Sequence, residues 1–118
     1  MPVRPDRPGP ATDRRTRVAE ALRRLAPRLP DFEVEATLDR ALLSPGLRKA
    51  APETAARLAL VTYARHVFTE YDDLLADGYD RDSARHFVLD ALNAVLTGWG
   101  AAPIPEDAPD AGEDPAES

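Results

Sequence analysis

Proline placement limits what this chain can become more than any other feature. Of 12 prolines in 118 residues, four lie in residues 1–10 and four in residues 101–118. Proline fixes φ at about −65° and has no N–H to donate, so neither end can enter a regular packed element. "MPVRPDRPGP" therefore reads as a disordered basic arm over 1–11. The end of the chain, "APIPEDAPDAGEDPAES", reads as a disordered tail over 101–118, extended by mutually repelling acids. Residues 12–100 remain as a single domain.

Hydrophobic periodicity within 12–100 is helical throughout. A first helix is expected from Asp13, as N-cap, to about Ala26, with Val18, Ala21, Leu22 and Leu25 as its stripe and Pro27 and Pro30 ending it. A second fits "DFEVEATLDRALL" (31–43), capped by Asp31, stopped by Ser44-Pro45-Gly46, and carrying Phe32, Leu38, Leu42 and Leu43. A third starts at Pro52, which suits a first helical position. Its apolar series Leu60, Ala64, Val67, Tyr71, Leu74 runs in steps of four and three across Thr69 without a phase slip. One long helix over 52–77 is therefore predicted, with Gly78 as the left-handed residue after its end. The competing reading makes Thr69 a new N-cap with Asp72 at the capping-box position.

A fourth helix should run from Asp80 to about Gly98, with Ala84, Val88, Ala91, Leu92, Val95 and Trp99 along one side. Gly78-Tyr79-Asp80 would fold it back on the third as an antiparallel hairpin. No stretch alternates at period two. The fold class is all-α, with about four helices, a C-terminal antiparallel helical hairpin and disordered ends. The long helices carry more apolar surface than a narrow seam needs, which makes a homodimer one expected arrangement.

Charge is divided along the chain. Residues 1–28 hold eight Arg against three acids, whereas 105–118 hold six acids and no base, within a net charge of −6. Overall acidity argues against indiscriminate DNA binding, although Arg14, Arg15, Arg17, Arg24 and Arg28 could follow a phosphate backbone. With no cysteine, disulfides, thiolate metal sites and a Cys nucleophile are excluded. No apolar run approaches a membrane span, and the cytoplasm is the expected compartment.

Chemistry concentrates in "RHVFTEYDDLLADGYDRDSARHF" (65–87). Thr62, Arg65, His66, Thr69, Asp72 and Asp73 share the polar face predicted for the third helix, and the plain reading is a solvated face with local ion pairs. His66, Glu70 and Asp73 have helix-compatible spacing but no second His or Cys, so no metal site and no cofactor are expected. No serine sits in a nucleophile-elbow turn, and no Gly-rich phosphate loop exists. Arg81 and Arg85 fall on the apolar side of the fourth helix. They are expected to clamp the hairpin onto Asp72, Asp73 or Asp77, with an anionic-ligand site as the alternative.

Over 52–99 the chain resembles the domain of unknown function 2293 family, an uncharacterised helical domain of bacterial and fungal proteins. The pattern is an apolar helix, Arg65-His66, Thr69, Tyr71-Asp72, Leu74-Leu75, Gly78, Arg81, Ala84-Arg85, then Val95-Leu96 and Trp99; Glu70 stands where the family has Asp. The resemblance implies no activity. It does imply that Arg65, His66, Thr69, Asp72, Arg81 and Arg85 form one polar cluster. The expected function is a non-enzymatic protein-interaction or self-association module, with a nucleic-acid-associated protein using the Arg-rich head and Arg81/Arg85 as the alternative.

Overall fold

A computed structural model describes residues 10–106. The basic arm before residue 10, with Arg4 and Arg7, and the acidic tail beyond 106 lie outside the described residues. The described chain is all-α, with five helices: α1 (Pro10–Leu25), α2 (Asp31–Leu43), α3 (Pro52–Phe68), α4 (Tyr71–Ala76) and α5 (Arg81–Gly98).

Backbone chemistry sets most of these limits. Pro10 opens α1, three residues before the expected Asp13, because a first-turn proline forfeits only an N–H that has no helical partner anyway. Pro30, not Asp31, holds the N-cap position of α2; Asp31 lies in the first turn, where its charge faces the positive end of the helix dipole. Pro52 stands in the first turn of α3. Asp80 caps α5, accepting from the Ser83 amide at 2.8 Å. Gly78, at φ +101°, makes the left-handed turn between α4 and α5.

The long helix predicted over 52–77 is two helices. Thr69 adopts extended φ/ψ (−131°, 175°) and ends α3, and α4 starts two residues later. Its hydroxyl donates back to the Arg65 carbonyl and accepts from the Tyr71 amide, so one side chain serves both helix ends. The turn at Gly78 consequently joins α5 to the short α4.

α3 is the central helix, packed against α1, α2, α4 and α5. It therefore lacks the solvated face predicted for it, and Thr62 and Arg65 are buried beside Leu60, Val61 and Ala64. The core gathers Val18, Ala21 and Leu22 of α1, Val34, Leu38 and Ala41 of α2, and Leu92 and Leu96 of α5 around α3. A separate small cluster holds Tyr71, Ala84 and Val88, flanked by Leu74 and Leu75.

The segment after α5 is tied back to the bundle. Arg28 donates through its amide to the Trp99 carbonyl and through its side chain to the Gly98 and Thr97 carbonyls. Asn93 and Ile104 exchange two hydrogen bonds, Nδ2 to the Ile104 carbonyl at 2.9 Å and the Ile104 amide to Oδ1 at 2.8 Å. Among the described residues, no helix is long and apolar enough to cross a membrane.

Candidate functional site

The bend at Thr69 organises most of the polar residues singled out in the sequence. Ending α3 there turns Tyr71 inward until it is 1% exposed. The Arg65 guanidinium carbon lies 5.4 Å from the Tyr71 ring centroid, with Arg65 itself 5% exposed. Stacking on an aromatic face lets a planar guanidinium be buried at lower cost than a compact ammonium. His66, one residue on, meets the Tyr71 ring edge-on at 5.3 Å and shares a hydrogen bond through Nδ1 with Asp72 of α4. Arg65, His66, Thr69 and Asp72 are thus drawn together around Tyr71.

Arg85 makes an ion pair within its own helix, with Asp82 at 2.7 Å, while its side chain is largely covered. Arg81 is half-buried one turn before it. A His–Asp pair can orient an imidazole. Here the Thr69 hydroxyl in the bend is already bonded to backbone on both sides of the break. Among the described residues, no group of three or more His, Cys, Asp or Glu is placed to hold a metal ion.

The arginines proposed for phosphate contacts lie along α1 and the loop after it. Arg14 donates to the Leu47 and Ala50 carbonyls at 2.7 and 2.9 Å, bracing the α2–α3 connection. Arg15 pairs with Glu35 and Asp39 of α2, and Arg24 with Glu53 of α3 at 3.2 Å. Arg28 caps the C-terminal end of α5, where a cation meets the negative end of the dipole. Arg17 is exposed.

A second region was not anticipated. α2 buries Val34, Thr37, Leu38 and Ala41. Phe32 and Leu43, expected in that stripe, are each 75% exposed. Eleven helical residues return to nearly the same angle, so these two side chains lie about 20° apart on the wheel and about 17 Å apart along the axis. Ala36 and Asp39 fill the spacing between them, giving i, i+4, i+7, i+11. α2 therefore buries one apolar stripe and carries Phe32, Ala36 and Leu43 on the opposite side, interrupted by the charged Asp39.

Beside the outward stripe lies an open groove of about 540 Å³, lined by residues that include Arg40, Leu43, Ser44, Tyr63 and Val67. Val67 is 53% exposed there, although the sequence placed it on the apolar face of α3. The Ser44 hydroxyl is buried and has no hydrogen-bond partner among the described residues. The Tyr63 hydroxyl donates to Glu33 of α2; burial first, then that carboxylate, push the phenol up to about 12. The signal was present in the sequence as a second helical period, Phe32-Ala36-Asp39-Leu43, offset from Val34-Leu38-Ala41.

A model of the family described as uncharacterized conserved protein (DUF2293) matches residues 21–100. That span begins inside α1 and takes in α2, so it reaches well before residue 52, where the resemblance started. No curated protein and no solved structure matches the chain.

Proposed function

The chain belongs to this family of uncharacterized conserved proteins, and we propose that it is a non-enzymatic module acting by binding a protein surface, another chain or its own. The outward stripe of α2 carries the reading. A surface helix in a small bundle normally needs one apolar face, and α2 also exposes Phe32 and Leu43 on the side away from the core. Phe32 and Leu43 are each 75% exposed and Val67 is 53% exposed, which leaves large apolar side chains uncovered on this side of the bundle. Size alone does not decide the matter; the regular spacing along one helix face does. Residence in the cytoplasm is part of this proposal.

The nucleic-acid reading draws less support, because the Arg14, Arg15, Arg24 and Arg28 guanidiniums are engaged inside the chain. Occupied donors are poorly placed to neutralise phosphates. The polar cluster at Thr69 is read as structural on the same ground, since its contacts join α3 to α4.

A photo-crosslinking side chain placed at Leu43, with exposed Glu20 as the control site, tests the reading in living cells. A discrete adduct from position 43 and none from position 20 is the expected result. Adducts from neither site, together with retention on immobilised DNA or RNA that falls steeply with salt, would replace this reading with the nucleic-acid one.

A further inference from the structure

We infer that the outward face of α2 and its groove dock a second copy of this chain, two α2 helices pairing antiparallel about a two-fold axis. The inference rests on the interaction reading above and narrows it to one partner. Two observations support a self-complementary surface.

The first is the spacing of the stripe. A two-fold contact requires every group on the patch to meet a group on the same patch of the other copy. Phe32 and Leu43 stand at equal distances either side of the point midway between Ala36 and Asp39. An axis through that point sets Phe32 against the partner's Leu43 at both ends at once. Ala36 and Asp39 lie equally close to that axis, so each copy's Ala36 faces the partner's Asp39 where the helix backbones come closest.

The second is charge. Asp39 and Arg40, neighbours of opposite sign beside the same point, both line the groove. Across a two-fold axis such a pair complements itself, since each arginine comes within a side-chain length of the partner's Asp39. Asp39 pairs with Arg15 of its own chain at 3.8 Å, yet its side chain is 67% exposed, which leaves it open to the partner's Arg40.

The patch is short against the area of about 800 Å² per partner found in standard interfaces, so association should be weak and concentration-dependent.

Sedimentation equilibrium of the full chain tests this, with helicity of each variant checked by circular dichroism. Wild type should show reversible dimerisation. Leu43→Glu alters an exposed residue and should leave the fold intact while weakening dimerisation about tenfold or more. Asp39→Arg and Arg40→Asp should each weaken it, and the double reversal Asp39→Arg/Arg40→Asp should recover most of the loss. Wild type that stays monomeric at several hundred micromolar would overturn the inference, as would a dimer indifferent to Leu43→Glu. If a monomeric chain still gives a discrete adduct from position 43 in cells, the second copy is the wrong partner while the interaction reading stands. With no adduct either, both fall.

Discussion

Replacing Tyr71 with alanine should remove a large share of the stability of this protein. The ring is 1% exposed and is the only large side chain fully buried in the small cluster with Ala84 and Val88. Truncating a buried aromatic to alanine costs about 3–5 kcal/mol, because the cavity collapses only partly. The Arg65 guanidinium stacked on that ring would also lose its aromatic face while remaining in a buried position. We expect about 4 kcal/mol in total, out of a stability of roughly 5–15 kcal/mol for a domain of this size. Tyr71→Phe keeps the ring and should cost about 1 kcal/mol. Urea unfolding followed by circular dichroism measures both. Hydrogen exchange should show α4 and the first turns of α5 opening first in the alanine variant, since their cluster is separate from the main core. If Tyr71→Ala unfolds within about 1 kcal/mol of wild type, the bend at Thr69 does not position the residues around it in the way described.

Three further outcomes follow from other parts of the fold. The Tyr63 phenol is raised from 10.0 to about 12, so the folded state favours its neutral form. That stabilisation is complete below the unfolded value of 10.0 and is lost as pH rises through about 12, and Tyr63→Phe should flatten the alkaline decline in stability over that window. Asn93→Ala removes both bonds to Ile104 and should cost about 1–2 kcal/mol, with faster exchange at the Ile104 amide as the local readout. Gly100 sits at φ +87°, and an added Cβ would stand 3.0 Å from Pro27 Cδ. Gly100→Ala should therefore destabilise by about 1–2 kcal/mol, measured by the same unfolding assay.

Helix existence and most helix ends were legible because punctuation residues act locally. Pro52 in a first turn, Asp80 as a side-chain cap and Gly78 in the left-handed region need nothing from the rest of the molecule. The bounds of α2 were readable from its flanking prolines and Ser44-Pro45-Gly46 for the same reason. The break at Thr69 was open in the sequence as a competing N-cap reading, outweighed there by the apolar phase that runs straight through it. The extended backbone of Thr69 and the two-way hydrogen bonding of its hydroxyl mark the end of one helix and the start of the next, although Glu70 rather than Thr69 holds the N-cap position of α4.

Sorting residues into polar and apolar faces failed where the tertiary surroundings decide. α3 is enclosed by four other helices, so Thr62 and Arg65 are buried in spite of their chemistry. Of the six residues expected to cluster, Arg65, His66, Thr69 and Asp72 meet around Tyr71, which the sequence had assigned only to the core. α2 misled in the opposite direction. Phe32 and Leu43 face outward, while Val34, Thr37, Leu38 and Ala41 meet α1 and α3. Bulk alone does not say which side of the helix meets the core.

The most direct test of the account is an amide NMR dilution series, from about 1 mM to about 20 µM, spanning the weak association expected. Concentration-dependent shifts should gather on Phe32, Ala36, Asp39, Leu43, Ser44 and Val67 and leave Thr69–Asp72 unchanged. Shifts centred on the Thr69 bend or on Arg81 and Arg85, or no shifts at any residue, would contradict it.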